Sequence, residues 1–294
     1  MQDSKNYVIF TDSTSDIPKD ILDKFQIKVI PIELTLDGEN YIKDSDISPK
    51  DFYNEIRNGK LPKTTCINHA TYAENFEPFL NKNEDVLYIS FSGSLSSLYN
   101  IAKKTADDLS KIYHDNKVIV VDSCAASMGQ GMLVYFAAKL QKEGKSLNEV
   151  VSWLEENKNR LQHWFTVDDL THLKRGGRIS PAAAAFGGML NIKPIMNVDL
   201  KGKLVPVGKI RGRKAALLEL VNKMEKFWVA EENKFICISH ADAIEDANFL
   251  AEKISEKFGV NNIVINYITP VIGTHTGCGT VALFFLGKEK QAED

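Results

Sequence analysis

Hydroxyl side chains gather where three predicted strands of this chain end. Apolar, strand-like runs lead into FTDSTSD at residues 10–16, ISFSGSLSS at 89–97 and VVDSC at 120–124. In an open parallel sheet such turns meet at the carboxyl edge, and each opens a helix whose N-terminus carries unpaired N–H donors and partial positive charge. The pattern therefore predicts the binding of an anion. Helix capping alone is the alternative for any single turn, but the second turn has five serines, more than one helix needs.

Another polar segment lies near the end of the chain, in the octapeptide GTHTGCGT at residues 273–280. The strand-like runs NIVINYI before it and VALFFLG after it predict a turn in which the backbone bends. We expect Gly277 and Gly279 to adopt positive φ or to let the backbone pass close to a ligand. His275 and Thr276 would offer hydrogen-bond donors to that ligand.

Several catalytic and cofactor motifs are absent from the sequence. It has no GxxxxGK[ST] or GxGxxG phosphate-binding loop and no HExxH or carboxylate-rich metal pattern. The GxSxG elbow of serine hydrolases is also missing, since Ser97 stands where its second glycine should be. A small anionic group such as a carboxylate, held by hydroxyls and backbone without a metal, fits best. The alternative is a hydrolase or phosphotransferase with Ser96 or His275 as nucleophile, although no motif supplies the base it requires.

The elements that would position these residues alternate between strand and helix in the first half of the chain. The runs YVIFTD, IKVIPIEL, DVLYISFS and NKVIVVDS predict strands. The first helix between them is expected to have Asp16 as its cap and Pro18 in its first turn, and a later one to end at Gly59. This order predicts a mostly parallel sheet covered on both faces.

The pattern changes from about residue 160. HWFTVDD predicts a strand, LKRGGRIS a basic turn, PAAAAFGGMLN a helix of small residues, and the segment around Lys201 and Gly202 a β-hairpin. Further strands and helices follow up to the octapeptide. We therefore expect an α/β protein of two domains, residues 1–160 with a mostly parallel sheet and residues 161–294 with a mixed α/β arrangement.

Composition and charge exclude several classes of protein. The chain has 294 residues, 44% hydrophobic and 26% charged, as is usual for globular domains. Its net charge of −3 gives no support to a nucleic-acid partner. No apolar run approaches the roughly 20 residues of a membrane span, and the N-terminus lacks the apolar stretch of a signal peptide, so we expect a cytoplasmic protein. The four cysteines are far apart, which predicts buried, reduced thiols.

Nine short segments, in order over nearly the whole chain, match the pattern of one family. They are FTDSTSDIP at 10–18, LPKTT at 61–65, ISFSGSLSSLYNIA at 89–102, VVDSCAASMGQGMLV at 120–134, LKRGGRIS at 173–180, LNIKPI at 190–195, GKIRGRKAAL at 208–217, ISHAD at 238–242 and VIGTHTGCG at 271–279. Each is weak alone, and together they are specific. On these segments the chain resembles the DegV family of bacterial fatty-acid-binding proteins.

The resemblance implies a fold and a function. The fold would be two α/β domains, with an acyl chain buried in a tunnel and its carboxylate near the domain junction. A long-chain fatty acid would be the ligand, with no further cofactor. The protein would be a non-catalytic carrier that presents the acid to a separate fatty acid kinase, and that kinase would make the acyl phosphate.

The family's carboxylate ligands can be carried over residue by residue. They fall on Thr64, Ser96 and His275, with Thr65 as an alternative to Thr64. The chain departs from the family's usual segments with KTTCIN after Pro62 and with LSSLY around Ser96. Side chains expected to line the tunnel are Phe91, Met128 and Phe284.

Two clusters of basic residues predict a surface for a partner. A docking face for the kinase, or transient contact with an anionic membrane, is the functional interpretation, and ordinary solvated surface is the alternative. The clusters consist of Lys174, Arg175 and Arg178 in LKRGGR, and of Lys209, Arg211, Arg213 and Lys214 in GKIRGRK.

Overall fold

The computed structural model describes residues 5–38, 40–180, 191–230 and 235–290. The small-residue helix expected from PAAAAFGGMLN falls on residues 181–191 and lies almost wholly outside this range. The strands are β1 Tyr7–Asp12, β2 Lys28–Ile30, β3 Glu33–Thr35, β4 Tyr41–Lys43, β5 Lys63–Thr64, β6 Asp85–Ser90, β7 Val118–Asp122, β8 Leu161–Thr166, β9 Ile192–Val198, β10 Leu204–Arg211, β11 Ile236–His240, β12 Ile263–Tyr267 and β13 Val281–Leu286.

Helices cover the sheets and connect their strands. The α-helices, in the chain order of the described residues, are α1 Lys19–Phe25, α2 Pro49–Arg57, α3 His69–Leu80, α4 Leu98–Leu109, α5 Met128–Lys142, α6 Leu147–Asn157, α7 Thr171–Arg175, α8 Arg213–Phe227, α9 Ile244–Phe258 and α10 Pro270–Thr276. Short 3-10 helices span Ser13–Ser15, Asp44–Asp46 and Lys158–Arg160.

The sheets confirm the expected α/β class. Strands of the first half form a four-stranded parallel sheet in the order β2-β1-β6-β7 and a small antiparallel sheet in the order β4-β3-β5. Strands of the second half form a six-stranded sheet in the order β10-β9-β8-β13-β11-β12, in which only β11 and β12 are parallel. The hairpin expected around Lys201 and Gly202 is present, with Gly202 at a φ of 74°.

The segment IKVIPIEL corrects one expectation. Instead of one strand it forms β2 and β3, which belong to different sheets. Pro31 stands between them, and its missing N–H and fixed φ end the ladder of backbone hydrogen bonds. The chain can therefore leave the parallel sheet after three residues and begin the small antiparallel sheet that carries Thr64.

Asp16 corrects a second expectation, because it does not cap α1. That helix begins after Pro18 and has no side-chain cap. Instead the buried Asp16 carboxylate accepts hydrogen bonds from the Ser127 hydroxyl and from the Thr269 N–H, at 2.9 Å from the latter. Burial raises the pKa of Asp16 to about 7. The residue thus joins the turn after β1 to α5 and to the start of α10.

One hydrophobic core joins the two large sheets. Ile9 and Leu87 of the parallel sheet, Phe165 and Phe284 of the mixed sheet, and Met132 of α5 belong to the same buried cluster. Helix α5 contacts strands of both sheets. The division of the chain into two domains at residue 160 therefore stays a prediction.

Candidate functional site

A cavity opens between the two large sheets, at the edge where the polar turns end. It contains about 890 Å³ of empty space, part of it continuous with solvent. Two of the three predicted turns reach it, through Thr14 and Ser96, whereas beyond the third turn, VVDSC, it is Ser127 that lines the cavity. The cavity therefore lies at the carboxyl edge of the parallel sheet, where such a fold binds ligands.

Most of the cavity wall is apolar and comes from both halves of the chain. Phe91 and Leu95 approach it from the first half, and Phe165, Val198 and Phe284 from the second. Phe91 and Phe284 thus line the cavity as expected. Met128, the first residue of α5, is not among the residues that line the cavity and packs in the buried core around that helix.

The polar end of the cavity is built around His275. Its Nε2 lies 3.0 Å from the Thr64 hydroxyl. Its Nδ1 has no hydrogen-bond partner among the described residues and lies against Gly176, where a Cβ would come within 2.4 Å of it. Burial and the charges of Arg178 and Arg175 lower the pKa of His275 to about 3, so the imidazole is neutral near pH 7. With the proton on Nε2, the imidazole donates to Thr64 and leaves the threonine proton free for an anion.

Arg178 supplies the positive charge of this polar end. It was grouped with the basic surface on sequence grounds, but its half-buried side chain lines the cavity. Its Nε donates to the Leu95 carbonyl at 3.2 Å, and its guanidinium also donates to the Gly176 carbonyl. Burial lowers the pKa of Arg178 without removing its charge. The sequence offered one signal for this role, the two glycines that separate Arg178 from Arg175.

Ser96 stands beside the guanidinium, one residue after Leu95. Its hydroxyl accepts a hydrogen bond from the N–H of Leu98, the first residue of α4, at 3.4 Å, so it lies at the positive end of that helix. The Sγ of Cys66 is 3.7 Å from Ser96 Oγ and 3.3 Å from Ser97 Oγ. The expectation of buried thiols is met by Cys237, whereas Cys124 and Cys278 are half-buried and Cys66 is exposed and lines the cavity.

The extra serines of the second turn have a structural use. Ser92 donates to the carbonyl of Gly202 at 2.9 Å, and Ser94 donates to that of Lys201. These hydroxyls fasten the β9–β10 hairpin to the parallel sheet. Their number therefore reflects contact between the two sheets, and Ser96 is the serine of that turn that reaches the cavity.

The two other candidate threonines also line the cavity but have their hydroxyls engaged. Thr65 Oγ1 donates to the Glu33 carbonyl at 3.2 Å, and Thr276 Oγ1 to the Ile272 carbonyl at 3.3 Å. Only Thr64 of the two adjacent threonines forms a hydrogen bond with His275 in the described part of the chain. The geometry therefore favours Thr64 over Thr65 as a carboxylate ligand.

The octapeptide is more helical than expected. Its first four residues, including His275, form the last turn of α10, which ends at Thr276 and is capped by Gly277. Gly277 and Gly279 have positive φ, 76° and 79°, as predicted. Neither lines the cavity: a Cβ on Gly277 would meet His172 at 2.6 Å, and one on Gly279 would meet Asp168 at 2.2 Å. The glycines are needed for packing, and they fix the helix that presents His275.

The basic residues divide into internal and exposed groups. Arg213 is half-buried, with its Nε 2.8 Å from Asp246 Oδ2 and a further hydrogen bond to the Gly279 carbonyl. Arg213 therefore stabilises the fold through internal contacts, whereas Arg178 lines the cavity. Those that are exposed are Lys174, Arg175, Lys209, Arg211 and Lys214.

The cavity does not bring Ser96 and His275 together as a nucleophile and its base. His275 Nε2 is hydrogen-bonded to Thr64, and no carboxylate of the described residues orients Nδ1. The described ranges contain no cluster of three potential metal ligands. In those same ranges, every helix is too short or too polar to cross a bilayer.

Comparison with known proteins yields one consistent family. A family model described as an uncharacterised protein of the DegV family matches residues 6–288. A DegV domain-containing protein of Clostridium perfringens is 46% identical over 289 residues, which cover 98% of this chain and 99% of the relative.

Two solved structures share the fold. The structure described as fatty acid binding of a DegV family protein from Thermus thermophilus has a TM-score of 0.86 and 30% identity, and covers 96% of this chain and 100% of its own. DegV of Bacillus subtilis, described as a fatty acid binding protein, has a TM-score of 0.84 and 30% identity, with coverage of 97% and 100%.

Proposed function

The chain belongs to the DegV family, and from that premise we propose that it binds a long-chain fatty acid in the cavity between its sheets. The carboxylate would accept hydrogen bonds from Arg178, Thr64 and Ser96, and neutral His275 would orient the Thr64 hydroxyl toward it. The observation that carries the proposal is an apolar cavity that ends at one guanidinium, one imidazole and two hydroxyls. The two solved relatives described as fatty-acid-binding proteins support it.

The tail and the carboxylate of such a ligand would contribute differently to its binding free energy. A tail of roughly 14 methylenes offers on the order of 11 kcal/mol gross at about 0.8 kcal/mol each. Each hydrogen bond to the charged carboxylate offers about 1.5–3 kcal/mol. Most of the affinity would come from the tail, less the cost of immobilising it. The polar end would set the direction of the chain, because a carboxylate without donors is costly to bury.

Lipid extraction tests the proposal directly. We expect the protein, purified without detergent and extracted into organic solvent, to release C14–C18 fatty acids in an amount close to one per chain, as measured by mass spectrometry. The delipidated protein should rebind them. Absence of bound lipid, together with turnover of an ester or phosphate substrate, would contradict the proposal and favour the hydrolase or phosphotransferase alternative.

We further propose that the bound acid is presented to a separate fatty acid kinase. The exposed cations Arg175 and Arg211 would contact that partner, and the same charges would favour transient contact with an anionic membrane. A cytoplasmic location, the lack of a cofactor other than the acid, and the lack of a nucleic-acid partner remain part of the proposal.

Charge reversal at Arg211 tests the presentation step. Arg211→Glu should leave fatty-acid affinity unchanged and lower the rate of phosphorylation by the kinase by about tenfold or more, because rim charges act mainly on association. Lys28→Glu, on the exposed edge of the parallel sheet, makes the same change of charge and should have little effect. An equal drop in phosphorylation rate in both variants would count against a docking role for Arg211. So would a loss of fatty-acid binding in Arg211→Glu that accompanies the drop in rate.

A further inference from the structure

The register of strand β13 locates the end of the cavity that lies away from its polar end. Thr280, just before this strand, donates a hydrogen bond to the Thr276 carbonyl and so lies next to the polar end. Side chains alternate between the two faces of a strand, and Thr280, Ala282 and Phe284 all line the cavity. Phe284 lies about 13 Å from Thr280, at about 3.3 Å per residue. Leu286, the next residue on this face, is buried but does not line the cavity. Along β13 the cavity therefore ends at Phe284.

Strand β8 leaves the cavity at the same level. His163 and Phe165 line the cavity, whereas Leu161, the next residue on their face, lies in the buried core. His163 is the direct cross-strand partner of Phe284, and Leu161 is that of Leu286. On both strands the lining thus stops between the same two cross-strand pairs. His163 and Phe284, here called the end pair, form the last contact of the two strands with the cavity.

The end pair is held in place by its surroundings. Its two rings meet edge-on, with centroids 5.5 Å apart and an interplanar angle of 85°. His163 Nδ1 lies 3.1 Å from the Leu161 carbonyl, which can only accept, so the imidazole donates this hydrogen bond and is fixed in orientation. Gly129 of α5 lies against the ring, since a Cβ there would come within 2.1 Å of Nε2. Because close-packed interiors resist displacement, a hydrocarbon tail meets the end pair as a rigid wall.

We propose that the end pair sets the longest acyl chain that the cavity accommodates, because the terminal methyl group of the bound acid abuts it. The inference rests on the proposed function and deepens it by assigning chain-length selectivity to His163 and Phe284. Each methylene buried before the end pair is reached should raise the affinity by about fourfold. Beyond that length an added methylene finds no further apolar surface to cover, so the gain should vanish.

Competition binding to the delipidated protein tests the inference. Saturated acids from decanoic to eicosanoic compete with radiolabelled palmitic acid, and their affinities are compared by chain length. For wild-type protein the affinity should rise with each carbon and then level off or fall beyond one limiting length. In Phe284→Ala and in His163→Ala that limit should move to chains longer by about two carbons or more, because each substitution removes part of the wall. The first acid beyond the wild-type limit should gain about fourfold or more in affinity.

Controls separate the end pair from the rest of the cavity wall. Val271 lines the cavity one helical turn before His275 and so lies near the polar end. Val271→Ala should change the affinity for all chain lengths alike and leave the limiting length unchanged. Phe284→Leu is a milder change in the wall, in case Phe284→Ala does not fold, and should also move the limit to longer chains. Binding of decanoic acid, the shortest of the series, reports whether each variant keeps a folded polar end.

The outcomes distinguish the two proposals. If the end-pair variants bind decanoic acid and keep the wild-type limit, the role of the end pair is overturned and the fatty-acid function stands. The same holds if the affinity of wild-type protein rises steadily up to eicosanoic acid, or if Val271→Ala moves the limit as far as Phe284→Ala does. If wild-type protein binds none of the acids, the proposed function fails and the role of the end pair fails with it.

Discussion

Arg178→Met is expected to weaken the binding of a fatty-acid anion by about 10- to 100-fold, since a hydrogen bond to a charged group contributes about 1.5–3 kcal/mol. The guanidinium is half-buried at the polar end of the cavity, where water screens its charge less than at the surface. Isothermal titration calorimetry of the delipidated wild type and Arg178→Met with palmitic acid measures the change in dissociation constant. Affinity for the neutral alcohol of the same chain length should change much less, because the tail contacts are kept.

Two further variants determine what Arg178 contributes. Arg178→Lys keeps the charge but loses the planar fork that reaches the carbonyls of Leu95 and Gly176, so an intermediate affinity is expected. Arg175→Met removes an exposed charge three residues away and should change affinity by less than about threefold. If Arg178→Met weakened the acid and the alcohol equally, the residue would be acting on the shape of the cavity and not on the carboxylate.

Gly277→Ala is expected to lower the free energy of unfolding by about 3 kcal/mol or more. With φ 76° and ψ 174°, Gly277 lies in a region of backbone space that is essentially restricted to glycine, which costs other residues about 1–3 kcal/mol. Its Cβ would also lie 2.6 Å from the half-buried ring of His172, and relieving that overlap adds further strain. Urea unfolding followed by circular dichroism measures the change.

Gly259→Ala is the matched control for this prediction. Gly259 also has positive φ, 67° with ψ 24°, but no atom lies within 4 Å of the position its Cβ would take. Gly259→Ala should therefore lower the free energy of unfolding by only about 1–2 kcal/mol, the cost of placing a non-glycine residue at positive φ. Because Gly277 ends the helix that carries His275, its replacement should also weaken fatty-acid binding, whereas Gly259→Ala should not. Equal destabilisation by the two substitutions would show that the contact with His172 has no effect.

The sequence predicted much of the candidate site through local signals. The polar turns after β1 and β6, which predicted an anion site, reach the cavity, and after β7 the chain reaches it at Ser127, just beyond the predicted turn. The family resemblance selected Thr64, Ser96 and His275, which the fold gathers from three distant segments. Positive φ at Gly277 and Gly279 was predictable from glycine placement alone. What these signals share is that they depend on residues close together in the chain.

Other features could not be predicted because they depend on how the two sheets face each other. The cluster of basic residues predicted that Arg178 lies on the surface. The side chain is instead held inward by a hydrogen bond to the Leu95 carbonyl, 83 residues away in the chain. Serines that looked like anion ligands hold a hairpin more than a hundred residues away. His163 read as an ordinary strand residue, although its apolar neighbours Leu161 and Phe165 on the same face were a usable signal.

By itself, then, the amino-acid sequence determined the α/β class, most of the strands and helices, and the residue types that can hold a carboxylate. Periodicity and turn chemistry are properties of near neighbours, so they can be read along the chain. Only the tertiary structure decided that Arg178 turns inward, that Met128 is excluded from the cavity, and that the buried imidazole of His163 forms part of the cavity wall. Those outcomes depend on the packing of two sheets around α5, which brings together side chains that are far apart in the sequence.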